Sequence, residues 1–469
     1  MGKKHRIEKD ALGTKEVPQD TYYGIHTARS IELFPISGLK QHSALVNAVV
    51  LIKKAAAAVN KNQKRLDGRK ADCIIQACDE ILNGRLKDQF VVDAFQMGAG
   101  TSLHMNCNEV IANRAEELMG GRRGEYDLIS PHDDVNRGQS TNDVFPTAMK
   151  LAGFILTRNQ LLPALTAFET ALFKKAEEFK HIIKSGRTHL QDAVPVTLGQ
   201  EFKAYAETVK GCRFFLEGSL KSLLKIGIGG TAVGTGLNTS PHYADLMVNH
   251  LRVLTGLDLE MVEDKQEATQ SMRPMSEVSS ALRNLALELI RIANDLRLLS
   301  SGPRTGLYEI SLPPVAPGSS MMPGKVNPSM LEMLNMVCYQ VIGCDLTVAS
   351  SVQAGQLELN VMMPVIAFNL CFMIEILSNS LKAVTTKCID GIRAHPEICR
   401  EYAEKSAGLI TALSPYLGYS AAAEVVKQAL EEGKTLVDVI EERGLLTSDQ
   451  LKRLLKAEKM TSPNLPDPD

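Results

Sequence analysis

The sequence predicts an all-α fold of three domains, built around a central bundle of long helices. The 469-residue chain has no Trp and only 5% aromatic residues, so its core must come from Leu, Ala, Val, Ile and Met, a composition typical of packed helices. Between residues 276 and 300 the apolar positions alternate steps of three and four, which indicates a heptad seam. These positions are Leu282, Leu285, Leu289, Ile292, Leu296 and Leu299.

Residues 1–141 are predicted to form a mostly helical N-terminal domain. Loops and short strands are expected before residue 40, because prolines and glycines interrupt any period there. Helices are expected from Ser43, from Asp72 to Leu82, and from about Thr101 to a stop before Gly120.

Residues 142–394 are predicted to form the central bundle, which would carry the oligomer core. Four successive N-cap residues end at Asp143, and the helix that follows should break or kink at Pro163. A turn is expected at residues 186–189, followed by a helix over about 197–225. Long helical patterns recur at 276–300, after Pro328 and over about 360–386, as a helix bundle requires.

Residues 395–469 are predicted to form a small helical domain. Glycines at 418, 433 and 444 shorten its helices, and the proline-rich tail at 463–469 is expected to be disordered.

Composition narrows the classes of partner. A net charge of −2 and a pI of about 6.6 argue against nucleic acid or an anionic membrane, and favour a small molecule or protein subunits. Neither a signal peptide nor a membrane span is expected. The nine cysteines lack metal-ligand or disulfide spacing, which indicates buried thiols in a reducing cytoplasm and argues against a zinc site or a disulfide framework. No dedicated metal-ligand cluster is apparent in the sequence.

One loop between two long helical patterns, residues 317–328, carries an unusual set of groups. Gly318 and Gly324 permit special backbone conformations, and prolines at 317, 323 and 328 stiffen the segment, a combination that suits a lid. Serine hydroxyls, an ammonium and an amide within it could bind a small anion. A plain helix connection is the alternative interpretation of such a loop.

Three further polar clusters fall at helix starts or turns, where backbone N–H groups attract anions. Each cluster alone is also explained as an ordinary cap or turn. Together with residues 317–328 they match a small dicarboxylate. A fourth stretch, residues 227–232, loosely matches a dinucleotide fingerprint, but it follows a helix and is rejected as a nucleotide site. The three clusters are residues 98–102, residues 138–142, and Thr188 with His189.

Three segments resemble the signatures of the aspartase/fumarase superfamily, and the resemblance runs from about Arg6 to Met460. They are GSSMMPGKVNP at 318–328, QSTND at 139–143 and GRTHLQD at 186–192. The resemblance implies an all-helical homotetramer in which several subunits contribute to each active site. It also implies a carbon–nitrogen lyase that takes a dicarboxylate and needs no cofactor.

The resemblance also implies roles for individual residues. Ser319 would be the general base on a closing loop, with His189 and Lys325 as further catalytic residues. Glu332 would support the histidine. The other matched positions would bind substrate: Lys325, Asn327 and Thr188 at one carboxylate; Thr101, Ser140, Thr141 and Ser320 at the other; Asn142 and His189 near the leaving group.

Within the superfamily, the motifs place the chain nearest to the aspartases. Ser130 stands where fumarases carry the first histidine of a secondary dicarboxylate site, and residues 302–307 lack the cysteine usual in fumarases. Met363 and His104 depart from the aspartase pattern of Glu and Asn. The expected activity is elimination of ammonia from L-aspartate. A class II fumarate hydratase is the alternative, and a non-catalytic structural protein with the lyase fold is a remote one.

Overall fold

Helices dominate the computed structural model, which describes residues 4–463, apart from the side chains of 457 and 458. The first helices are α1 (Ile25–Leu33), α2 (Ser43–Asn62), α3 (Gly68–Leu82), α4 (Thr101–Leu118), α5 (Thr141–Leu156), α6 (Leu162–Glu178), α7 (Leu198–Leu220), α8 (Tyr243–Thr255) and α9 (Lys265–Gln270). The long helices α10 (Arg273–Leu299), α11 (Ser329–Val352) and α12 (Met363–Lys387) follow. The last are α13 (Pro396–Lys405), α14 (Ile410–Leu417), α15 (Tyr419–Glu432), α16 (Leu436–Glu442), α17 (Ser448–Leu454) and α18 (Ala457–Met460).

The strands are short and pair two by two. They are β1 (His5–Asp10), β2 (Gly13–Pro18), β3 (Ile183–Thr188), β4 (Gln191–Thr197), β5 (Lys225–Ile226), β6 (Glu260–Met261), β7 (Ile310–Ser311) and β8 (Arg393–Ala394). The pairs β1–β2, β3–β4 and β7–β8 are antiparallel, while β5–β6 is parallel. The all-α prediction is confirmed, because helices dominate and the strands of the described residues form only short two-stranded pairs.

The seam predicted from the heptad pattern is real. All six of its residues, from Leu282 to Leu299, are buried on α10. Pro163 does not stop its helix: a π-helical segment, Thr157–Leu161, joins α5 to α6 and absorbs the irregularity that the proline introduces.

The turn predicted at residues 186–189 is wrong in its placement. Gly186 lies inside β3, at a bulge where the register shifts between Ser185 and Arg187. A Cβ there would come within 2.5 Å of the carbonyl oxygen of Val194, so glycine marks a close backbone approach and not a helix end. The actual turn is His189–Leu190.

The chain divides into two compact units. The first comprises Met1–Pro163, Arg213–Ala286 and Cys338–Ser378, and the second comprises Ala164–Cys212, Leu287–Val337 and Asn379–Asp469. The three-domain boundaries at 141/142 and 394/395 remain a prediction, and residues 464–469 of the predicted disordered tail lie outside the described part of the chain.

Contrary to the sequence expectation, three helical stretches are long and apolar enough to cross a membrane by length and composition alone. They are Ser43–Asn62, Ser329–Val352 and Met363–Gly391. In the first and third, 67% of the apolar window is buried inside the protein. In these two stretches, packing inside the protein therefore accounts for the apolar character, whereas in the second only 39% of the window is buried.

Candidate active site

The start of α5 is fixed by a buried carboxylate. Ser140 caps the helix and forms a capping box with Asp143, whose Oδ1 accepts the Ser140 N–H at 2.9 Å. The Asp143 Oδ2 accepts the backbone N–H groups of Gly229 and Thr231, at 2.9 and 3.1 Å. Residues 227–232, which the sequence context excludes as a nucleotide site, therefore stabilise the start of α5. Three predicted substrate ligands lie there: Ser140, Thr141 and Asn142.

Asn142 and Thr101 both lie in the first turns of their helices. The Asn142 Nδ2 donates one hydrogen bond to the carbonyl oxygen of Ala232 at 2.8 Å, which leaves its second N–H free for a ligand. Thr101 is the first residue of α4, after a turn in which Gly100 has a φ of +88°. A Cβ on Gly100 would lie 2.2 Å from the Phe145 ring, so this turn requires glycine.

His104 lies one turn into α4 and contacts one buried group, Lys53, and one half-buried group, Thr141. Its Nδ1 is 2.7 Å from the Oγ1 of Thr141, and its Nε2 is 2.5 Å from the Nζ of Lys53. The Lys53 Nζ also donates to Asn136 Oδ1 at 2.8 Å. Burial lowers the pKa of Lys53 to about 7 and, with the Lys53 charge, holds the pKa of His104 well below its usual range.

A cavity of about 470 Å³ adjoins the start of α5. Ser140, His132, Asp133 and Thr231 are among the residues that line it. It is large enough for a small dicarboxylate, and Ser140 places a hydroxyl on its wall.

In the second unit, Thr188 and His189 lie at the tip of the β3–β4 hairpin and are exposed. His189 and Leu190 form a two-residue turn with φ values of +55° and +60°. Both are in the left-handed region that non-glycine residues avoid, so the hairpin holds its histidine in a strained backbone.

An ion-pair cluster holds strand β3 of this hairpin in place. The Glu309 carboxylate is fully buried and lies 2.9 Å from Lys184 Nζ and 2.8 Å from Arg187 Nη1, both on β3. Lys184 also contacts Glu201 at 2.6 Å, and burial raises the pKa of that carboxyl. The cluster fixes the strand that ends at Thr188. Sequence reasoning missed it, because the charges lie far apart in the chain.

The loop at 317–328 closes on itself. The Gly318 N–H donates to the carbonyl oxygen of Lys325 at 2.8 Å, and the Asn327 Nδ2 donates back to the Gly318 carbonyl at 2.7 Å. A Cβ on Gly318 would lie 2.5 Å from that Lys325 oxygen, so only glycine permits the closure.

Ser319 is half-buried, while Ser320 and Lys325 are exposed. The Ser319 Oγ accepts the backbone N–H groups of Met321 and Met322, at 3.1 and 3.0 Å. Two donors on one oxygen stabilise its deprotonated form, which a serine needs in order to act as a base. Glu332 follows the loop, in the first turn of α11.

The predicted site residues therefore form two groups. Thr101, Ser140, Thr141 and Asn142 belong to the first unit, and the others, Thr188, His189, Ser319, Ser320, Lys325, Asn327 and Glu332, to the second. Within the described residues, no group of three or more His, Cys, Asp or Glu side chains is placed to hold a metal ion. Their roles in catalysis and binding stay predictions.

Hydroxyls and amides at helix starts, and one serine under two N–H donors, are the kinds of group that a lyase-type elimination needs. The family model described as "Lyase" matches residues 13–343, and "Fumarase C C-terminus" matches residues 409–462. The chain belongs to this lyase family, within the aspartase/fumarase superfamily.

Relatives match over nearly the whole chain. Aspartate ammonia-lyase of Bacillus subtilis is 47% identical over 99% of this chain and 97% of its own, and that of Escherichia coli K12 is 46% identical with the same coverage. The fumarate lyase:delta crystallin structure from Brucella melitensis bound to cobalt is 47% identical, with a TM-score of 0.95 over 98% of this chain and 100% of its own. A class II fumarase from Schistosoma mansoni is 37% identical, with a TM-score of 0.94 over 97% and 99%.

Replacing Glu309 by Gln should lower the free energy of unfolding by about 3 kcal/mol, because Arg187 would lose its buried counter-charge and Lys184 would lose one of its two. Urea denaturation followed by circular dichroism measures the change. The exposed Glu404→Gln variant is the control and should unfold like the original protein. Equal midpoints for the two variants would show that the cluster does not hold the hairpin.

Proposed function

We propose that this protein is an aspartate ammonia-lyase, which catalyses the reversible anti elimination of ammonia from L-aspartate to give fumarate. The observation that carries the choice of substrate is the similarity to aspartate ammonia-lyases, at 44–48% identity over 98–99% of the chain. The fumarase from Schistosoma mansoni, at 37% identity, is less similar.

In the proposed mechanism, Ser319 removes a proton from the substrate carbon next to one carboxylate. The hydrogen-bond donors at its Oγ stabilise the alkoxide that does this. The electrons of the broken C–H bond first spread onto the carboxylate, as an enediolate, and then form the carbon–carbon double bond as the C–N bond breaks and ammonia leaves. Lys325, Asn327 and Thr188 would stabilise the added negative charge, because they supply a cation, an amide and a hydroxyl.

The second carboxylate would bind at the starts of α4 and α5. Thr101, Ser140 and Thr141 supply hydroxyls there, beside helix N-termini whose free N–H groups favour negative charge. Ser320 would join them. Asn142 and His189 would lie at the leaving ammonia, where His189 can carry a proton.

We infer that the protein assembles as a homotetramer, with active sites shared between subunits. The support is the family resemblance together with an apolar stripe on α11. Met336, Tyr339 and Leu346 are 68%, 57% and 68% exposed, and with Gly343 they follow the three-and-four steps of a seam. A neighbouring helix would cover this stripe.

A cytoplasmic location is also proposed. All nine cysteines are free thiols and most of them are buried, as expected of cysteines in a reducing compartment. Neither nucleic acid nor membrane is proposed as a partner, given the net charge of −2.

The substrate is tested by incubating the protein separately with L-aspartate and L-malate and following the absorbance of fumarate. We expect faster release from L-aspartate, with ammonia formed in equal amount. Faster turnover of L-malate would make the protein a fumarate hydratase. No turnover of either would favour the non-catalytic alternative.

Ser319→Ala should reduce fumarate formation by about 10³-fold, because a general base contributes about 10²–10⁴ in rate. The variant should fold normally, since a loop hydroxyl adds little to the core. Met321→Ala, at an 88% exposed position in the same loop, is the matched control and should stay near the original rate. Retained activity in Ser319→Ala would transfer the base role to another residue.

Leu346→Glu should dissociate the assembly, because it places an uncompensated charge in the apolar stripe. Analytical ultracentrifugation measures the mass of the particle. Leu430→Glu, at a 72% exposed position on α15, is the control and should sediment as a tetramer. If both variants sediment like the original protein, this stripe does not form the interface.

A further inference from the structure

A line of three side chains in the first unit connects a fully buried ammonium to a predicted substrate ligand. Lys53 lies on α2 with no exposed surface, His104 on α4 is 1% exposed, and Thr141 is the first residue of α5. The atoms are 2.5 Å apart from Lys53 Nζ to His104 Nε2, and 2.7 Å from His104 Nδ1 to Thr141 Oγ1.

The line can hold its protons in two arrangements. When Lys53 is an ammonium, it must donate to Nε2, so the neutral imidazole carries its proton on Nδ1 and donates to Thr141. The Thr141 hydrogen is then free to bind a carboxylate. When Lys53 is neutral, it can accept from Nε2–H, and Nδ1 then accepts the Thr141 hydrogen. In this second arrangement the hydroxyl can no longer donate to a ligand.

Lys53 Nζ also donates to Asn136 Oδ1 at 2.8 Å, and it can do so in both arrangements. Asp143, Cys78 and Cys107 face Lys53, and His26 and His132 face His104. The Asp143 oxygens already accept three backbone N–H groups. Burial raises the pKa of Cys107 to about 12, which keeps this thiol neutral. Of the two groups in hydrogen-bond contact with His104, Thr141 and Lys53, Lys53 is the one whose charge can change.

We propose that His104 is a positioning residue that sets the direction of the Thr141 hydroxyl, and that the charge of Lys53 selects the direction. This inference rests on the proposed function, since it takes Thr141 as a ligand of a dicarboxylate. His104 acts through Thr141 and does not itself contact substrate.

The chemistry fixes the sign of the pH dependence. Burial places the pKa of Lys53 at about 7. The first arrangement, in which Lys53 is an ammonium and the Thr141 hydroxyl can donate to a ligand, therefore prevails below pH 7 and is lost as the pH rises above it. A bound dicarboxylate favours the ammonium form. Above pH 7, binding should therefore be accompanied by proton uptake, and affinity should fall by about tenfold, the value of one hydrogen bond to a charged group.

The test measures succinate binding by calorimetry from pH 6.5 to 9, because succinate is unreactive and has no amino group to titrate. The original protein should bind about tenfold more weakly at pH 9, with proton uptake seen as a dependence on buffer ionisation enthalpy. His104→Asn and His104→Leu should show neither the pH dependence nor this uptake. His104→Asn carries the test if His104→Leu does not fold.

His250→Leu, on α8 outside the line, is the matched control and should retain the original profile. A flat profile in the original protein, or the same slope in the His104 variants, would overturn the proposal. Fumarate release from L-aspartate is measured on the same samples. If fumarate is released normally but the His104 variants keep the pH dependence of succinate binding, only the role of His104 is refuted. If no fumarate is released but the pH dependence is lost in the His104 variants as expected, only the proposed reaction is refuted.

Discussion

The first unit depends on one buried carboxylate, that of Asp143. It accepts N–H groups from the start of α5 and from the glycine-rich stretch at 227–231, two segments far apart in sequence. Burial raises the pKa of Asp143, whereas the backbone donors and Lys53 act in the opposite direction. The carboxylate thus orders the hydroxyls and amide of residues 140–142 before any ligand arrives. Such preorganisation lowers the entropic cost of binding a ligand, because its hydrogen-bonding partners are already ordered.

In the second unit, ion pairs and the hydrogen bonds of a closed loop position the candidate site residues. Glu309 anchors the strand leading to Thr188 and His189, while backbone N–H groups within the loop at 317–328 fix the Ser319 hydroxyl. In both units, functional groups at helix starts or loop tips are held by neighbouring backbone. This explains how exposed side chains can have defined positions.

Much of the helical fold could be predicted, because the heptad steps of α10 and the caps of α5 are local signals in sequence. The β3–β4 hairpin could not, since Gly186 serves a close approach to Val194 that only the folded chain reveals. Motifs identified the candidate site residues around 140, 188 and 319. Lys53 was not predicted as part of the site, because a lysine next to another lysine in an apolar helix is usually a solvated surface charge. No local sequence signal indicates its contact with His104. Glu309 was missed because its partners, Lys184 and Arg187, lie far from it in the sequence.

The closed loop at 317–328 has a consequence for the time course of catalysis. Its two internal hydrogen bonds and the contact at Gly318 order the segment independently of substrate. The conformational entropy of these residues is therefore lost once, during folding, and not again in each turnover. Motion of such a loop would be the rotation of an ordered segment about the residues that flank it. Its speed would then depend on those few flanking bonds more than on a search through loop conformations.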